Sequence, residues 1–167
     1  SCHQKTFKEW QATKEEDTCQ DCHMPRTRAR LTQKLGLSLL HKKRGVGNHR
    51  FLHGEISEKD ISVEASFQES FFKLSLVNQT VPHSVPTADN GDPRLYLYII
   101  FFNDAGEEVD RAKEVLAPQQ ETALPFNKKV NFQYRLFEPA SQASLALKYQ
   151  PAWSKEKELI WEKTIQR

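Results

Sequence analysis

Beyond residue 60 the chain alternates apolar and polar residues with a period of two, whereas two short stretches before it repeat at three to four. Ile61-Ser62-Val63-Glu64-Ala65 and Phe72-Lys73-Leu74-Ser75-Leu76 place every second side chain on one face, as half-buried strands do. Leu95 to Phe102 is aliphatic and aromatic throughout and predicts a central strand. It stops at the turn Asn103-Asp104-Ala105-Gly106, after which Glu107 to Val109 is expected to pair back as a hairpin. Val130 to Phe137 and Ala143 to Tyr149 alternate cleanly, and Leu159 to Ile165 supplies a last strand. Pro118, Pro125, Pro139 and Pro151 fall in the connections, where no backbone donor is needed. About seven short strands separated by turns predict a two-sheet antiparallel sandwich of immunoglobulin-like topology.

The first part of the chain reads differently. Thr6 to Glu16 is polar with Phe7, Trp10 and Ala12 at helical spacing, and Leu31 to His41 repeats Leu31, Leu35, Leu39 and Leu40 on a helical period that Gly36 interrupts and Gly45 and Gly47 end. All six histidines (His3, His23, His41, His49, His53 and His83) lie in the first half, and all three cysteines lie in the first 22 residues. This segregation predicts a cofactor-bearing segment over residues 1–58 and an all-β domain with its own core over residues 59–167.

Composition narrows the classes. With 38% hydrophobic and 28% charged residues and no long apolar run, the sequence is that of a globular protein without a transmembrane segment. A net charge of +2 gives no reason to expect nucleic acid as a partner. Charge is nevertheless uneven: between Met24 and Gly54 stand Arg26, Arg28, Arg30, Lys34, Lys42, Lys43, Arg44 and Arg50 with no Asp or Glu. This stretch must face something anionic or water. The opening Ser1-Cys2-His3 reads as cut from a longer precursor, so the start says nothing about export.

Chemistry is concentrated at Cys19-Gln20-Asp21-Cys22-His23. In C-x-x-C-H two thiols add across the two vinyl groups of haem and the next histidine becomes an axial ligand of the iron. A zinc site would want a second ligand pair, and Cys2 is the only further cysteine. A redox-active pair would want a βαβ context. Cys2-His3 matches the end of another such motif and points to a second haem c. Met24 is too close to His23 to cap the same iron, while Trp10 and Phe51 suit the apolar faces of a porphyrin.

Together Ser1-Cys2-His3-Gln4, Glu9-Trp10 with Thr13, and Thr18 to Pro25 resemble the last haem-binding segment of periplasmic multihaem cytochromes c. His49-Arg50-Phe51-Leu52-His53-Gly54 is similar to that family's His-x-Phe-x-Gly segment. Val77-Asn78 through His83-Ser84-Val85-Pro86-Thr87 is similar to its Asn…Gly-His-x-x-Pro-Thr-Gly segment, ahead of a β-rich tail. The resemblance implies His23 and His3 as proximal iron ligands and His49 and His83 as leading distal candidates, with His53 and His41 behind them. Glu15 stands where the family has a histidine after the tryptophan. Val81-Pro82 replaces the glycine before His83, and Ala88 replaces the one after Thr87.

The expected fold class is α+β, an irregular and helical haem-binding segment followed by an all-β immunoglobulin-like sandwich. The expected function is electron transfer by covalent haem within a larger multihaem cytochrome, an electron carrier rather than an enzyme. Other cytochrome subunits or redox proteins are its partners, and a homo-oligomer or larger complex is compatible with that role. Two alternatives stay open: a multihaem enzyme fragment acting on small nitrogen or sulfur compounds at an open haem site, and a β-sandwich docking module. Covalent haem attachment implies a periplasmic or extracellular location.

Overall fold

A computed structural model describes residues 4–24, 26–30, 32, 34, 36, 39, 41–47, 56–87 and 91–167. In chain order the elements are α1 (Gln4–Thr13), α2 (Cys19–His23), β1 (Arg26–Ala29), β2 (Arg44–Gly47), β3 (Ile61–Gln68), β4 (Phe71–Asn78), β5 (Arg94–Phe102), β6 (Glu108–Leu116), a 3-10 turn (Pro118–Gln120), β7 (Lys129–Arg135), β8 (Gln142–Gln150) and β9 (Glu158–Gln166). The chain forms two compact units. One joins Ser1–Lys14 to Ile56–Arg167, and the other is Glu15–Glu55.

In the larger unit seven strands build two antiparallel sheets, ordered β3-β4-β7 and β6-β5-β8-β9. Alternation explains which faces meet. Phe72, Leu74 and Leu76 of β4 point inward, as do Leu95, Leu97, Ile99 and Phe101 of β5 and Ala143, Leu145 and Leu147 of β8; together they form one buried cluster. Phe72 meets Phe101 edge to face at 5.2 Å between ring centroids, a favoured aromatic geometry. The Tyr134 hydroxyl of β7 donates to Glu114 of β6 at 3.1 Å, tying one sheet to the other. Burial and the Glu114 charge push that phenol far above its ordinary pKa. The β5–β6 hairpin closes where expected. Asn103 Oδ1 accepts from the amides of Ala105 and Glu107, and Gly106 takes a φ of 78° that a side chain would resist.

The expected α+β class is corrected: the described residues are mostly β, with three antiparallel sheets, and only two short helices stand ahead of the sheets in place of an extended helical segment. Helix α1 runs Gln4–Thr13 and stops at Lys14, whose φ of 62° is left-handed. Of the apolar positions behind the helix expected over Leu31 to His41, Leu31, Leu35 and Leu40 lie outside the described residues and Leu39 is exposed. Gly36, which is described, has a φ of 88° incompatible with a right-handed helix. Flanking it, Arg26–Ala29 and Arg44–Gly47 pair as a two-stranded antiparallel ribbon. Backbone hydrogen bonds rather than an apolar face hold this ribbon, so period-based reading passes over it. No helix among the described residues is long and apolar enough to cross a membrane.

The entry to β3 carries an acid-sensitive latch. The Ser57 amide and hydroxyl both donate to Asp60 Oδ2 at 2.7 Å, and the Thr80 hydroxyl donates to Oδ1. Burial opposes the charge, but the hydrogen bonds from Thr80 and Ser57 outweigh it and hold the Asp60 carboxyl below its ordinary value. A depressed folded-state pKa stabilises above the unfolded value of about 4, and that contribution disappears as pH falls through the lower folded value. Asp60→Asn is therefore expected to be less stable than the parent near neutrality, with the gap closing as pH falls below the unfolded value of about 4. Denaturation midpoints measured against pH check this. A constant gap between the two proteins would refute it.

Candidate functional site

The cysteine motif forms its own short element in the smaller unit. Thr18 caps α2: its φ of −82° and ψ of 159° are extended, and its side chain accepts from the Asp21 amide. In return the Asp21 carboxylate accepts from the Thr18 amide at 2.9 Å and the Thr18 hydroxyl at 2.6 Å. This reciprocal capping satisfies donors that a five-residue helix would otherwise leave to water. The Thr18 hydrogen bonds hold the Asp21 carboxyl below its usual value. The Thr18-x-x-Asp21 pattern, which begins one residue before the motif and ends within it, is a local signal of this cap in the sequence.

One helical turn puts Cys19 and Cys22 on a common face, three residues apart, and both thiols are exposed and unbridged. Partial burial, then the carboxylates of Asp17 and Asp21 and the neighbouring Cys19, raise the Cys22 thiol above its ordinary pKa. At neutral pH it is thus a thiol, whereas a redox-active pair depends on a stabilised thiolate. His23 follows half-buried in the last turn, and Met24 caps the helix with its amide on the Gln20 carbonyl at 3.0 Å.

The ribbon of β1 and β2 follows at once. Its register sets Arg26 opposite Gly47 and Arg28 opposite Gly45, so two guanidinium-bearing side chains share a face with positions that have no side chain. None of the described residues between Glu15 and Glu55 is buried. Units of about 40 residues ordinarily need a cofactor, metal or crosslink to hold a fold. The residues present suit haem: two adjacent exposed thiols, an imidazole beside them and basic groups on the following ribbon.

Of the other expected ligands, Cys2, His3, His49 and His53 lie outside the described residues, as does Phe51, and His41 is exposed. His83 sits half-buried in a loop of the larger unit that a fully buried amide organises. Asn78 Nδ2 donates to the carbonyls of Val81 at 2.9 Å, His83 at 2.8 Å and Leu124 at 3.4 Å, and its Oδ1 accepts from the Val81 amide at 3.1 Å. Val85 and Leu124 exchange backbone hydrogen bonds just beyond, and the Ser84 amide donates to Glu9 of α1 at 2.9 Å. His83 Nδ1 lies 3.0 Å from the Ser84 carbonyl and 2.9 Å from Thr87 Oγ1, while the Thr87 hydroxyl itself donates to that carbonyl. A carbonyl only accepts, so Nδ1 carries a ring proton, which in the neutral ring leaves the lone pair on Nε2. Metal-ligating histidines are commonly fixed in this way. Sequence reading singled out His83 but missed the parts played by Asn78 and Glu9. A polar residue at a strand end, or on a helix, gives no periodic signal.

Among the described residues, no three His, Cys, Asp or Glu side chains gather into a metal cage, as a structural zinc site would require. Iron in a porphyrin needs at most two protein ligands, one on each side.

A multihaem cytochrome shares this fold. A penta-heme cytochrome c552 from Thermochromatium tepidum matches over 97% of this chain and 50% of its own, with a TM-score of 0.60 and 17% identity. The chain therefore spans half the length of that cytochrome, and identity this low shows likeness of fold. Northeast Structural Genomics Consortium target SoR45 aligns over 64% of this chain with a TM-score of 0.29 and 12% identity, too weak to bear on the fold. No family model matches the sequence, and no curated protein matches it.

Proposed function

We propose that the chain holds covalent c-type haem at Cys19, Cys22 and His23 and carries electrons as one part of a larger multihaem cytochrome. The observation that carries this reading is the capped single turn that presents both thiols on one exposed face beside His23. Two further observations support it: the absence of buried side chains among the described residues of the unit around that turn, and the fold shared with a penta-heme cytochrome. The haem supplies a reversible one-electron couple, and the protein supplies attachment and axial ligands.

His83, with its proton fixed on Nδ1, is a distal-ligand candidate on geometry as well as sequence. His49 is a candidate by sequence alone, with His53 and His41 behind it, and Cys2 and His3 belong to a second haem. Arg26 and Arg28 are placed in sequence to meet haem propionates directly after the attachment turn. The working partners are other multihaem subunits or redox proteins, in the periplasm or outside the cell.

One observation favours a second reading. Glu15, exposed, stands where the resemblance leads one to expect a histidine, and a haem lacking that ligand would keep a position open for a small substrate. Electron paramagnetic resonance of the purified oxidised protein separates the two. Low-spin ferric signals alone are expected for the carrier; a high-spin signal that shifts on adding nitrite, hydroxylamine or sulfite would transfer the assignment to catalysis.

A further inference from the structure

The outward face of the sheet β6-β5-β8-β9 carries a cluster that the haem chemistry does not use. Tyr96 and Tyr98, two residues apart on β5, stack at 6.2 Å with an interplanar angle of 18°. Three ammonium groups from three different segments converge on them. Lys113 of β6 lies 5.1 Å from the Tyr96 centroid and 5.7 Å from that of Tyr98, and Lys148 of β8 lies 5.8 Å from Tyr98. Lys157, from the β8–β9 connection, lies 4.0 Å from Tyr96 and 5.6 Å from Tyr98 and donates to the Tyr98 hydroxyl at 2.9 Å.

None of the three lysines has a carboxylate within ion-pair distance among the described residues. Other charges on or beside this face are accounted for differently. Arg94 is paired with Asp92 and Arg111 with Glu108, while Glu162, in register with Ala146, pairs with none of the three lysines. Three like charges gathered in this way repel one another, and the tyrosine rings offset only part of that cost. The rings also hold the ammonium groups in place, which reduces the side-chain entropy lost on meeting a counter-charge. At the edge of this cluster the β8–β9 connection exposes Trp153 to 85%. The connection is tied back to the sheet by Tyr96 donating to Gln150 and Gln150 donating to the Ser154 carbonyl. Tryptophan and tyrosine beside fixed cations is the composition of interface hot spots.

We propose that this face is a docking surface for a carboxylate-rich patch on another protein, with Lys113, Lys148 and Lys157 meeting its carboxylates and Trp153 packing at the rim. The partner is chosen by charge complementarity: the face offers concentrated, pre-positioned positive charge on a chain whose net charge is only +2. A flat sheet face with one protruding indole suits a protein surface better than a bilayer, which would draw on several inserting apolar side chains.

The test uses the full, haem-loaded chain and a poly-L-glutamate peptide as probe, with calorimetric titration at low ionic strength and mass-spectrometric hydroxyl-radical footprinting. K113Q/K148Q/K157Q is expected to lose about tenfold in affinity, what three exposed ion pairs supply together, and to lose the footprint protection of Trp153. K59Q/K73Q/K128Q removes the same charge elsewhere in the larger unit and is expected to bind as the parent does. Melting curves confirm that each variant is folded, and K113R/K148R/K157R, which keeps the charge, is expected to restore binding if the glutamines disturb the sheet. Equal losses in both glutamine triples, or unchanged binding in the first, would overturn the proposal. So would binding to phosphatidylserine vesicles that needs these lysines while the peptide does not bind, because the face would then serve a lipid surface.

Discussion

Replacing Cys19 and Cys22 together with alanine is expected to lower the denatured intact mass of the mature protein by one haem and to leave residues 15–55 open to protease. Thioether bonds survive denaturation, so only loss of both thiols removes the covalent group completely, and each single variant should keep one attachment. Around the motif, the described residues from Glu15 to Glu55 include no buried side chain, so among them no apolar core takes the place of the cofactor. The larger unit has its own cluster of buried side chains, from Ile61 to Trp161, and is expected to melt within a few degrees of the parent. Limited proteolysis followed by mass spectrometry reads both effects at once. An unchanged mass would remove α2 as the attachment site, and a protease-resistant 15–55 segment without haem would refute the cofactor-as-core argument.

Asn78→Leu is expected to cost about 3 to 5 kcal/mol, enough to lower the melting temperature by about 10 °C. Leucine fills a similar volume, so the loss comes from polar groups, not from a cavity. The Val81 amide and the carbonyls of Val81, His83 and Leu124 each lose a partner in a loop the larger unit has folded around that amide. The Val81 and Leu124 carbonyls keep the amides of His83 and Val85, so the main cost falls on the Val81 amide and the His83 carbonyl, at about 1 to 3 kcal/mol for each buried polar group left unpaired. If His83 ligates iron, the same variant should convert part of the low-spin ferric signal to high-spin, because the loop that fixes the ring through Ser84 and Thr87 has lost its clamp. A melting temperature within about 2 °C of the parent would show that the amide is not structural.

What could be read from the sequence depended on whether the determining contacts were local. Strands β3, β4 and β8 show themselves by alternating residue types, β5 by being aliphatic and aromatic throughout, and the Asn103 to Gly106 turn by residue type. The C-x-x-C-H turn is equally local: all its chemistry lies within five residues. The ribbon of β1 and β2 was illegible because arginines and glycines carry no apolar period, and it turned an expected α+β chain into a mostly β one. Asn78 was illegible for another reason. Its role depends on Leu124, 46 residues away, and only the fold brings that carbonyl to the amide. Ser84 and Glu9 are likewise 75 residues apart in sequence.

That last pairing has a topological consequence. Because α1 belongs to the same compact unit as residues 56–167, the backbone leaves that unit after Lys14 and re-enters it at Ile56, so residues 15–55 are an insertion with two covalent tethers. A single cut inside the insertion would leave the amino-terminal piece held to residues 56–167 through α1 alone, a helix that buries none of its residues and has Glu9 on the Ser84 amide as one anchor.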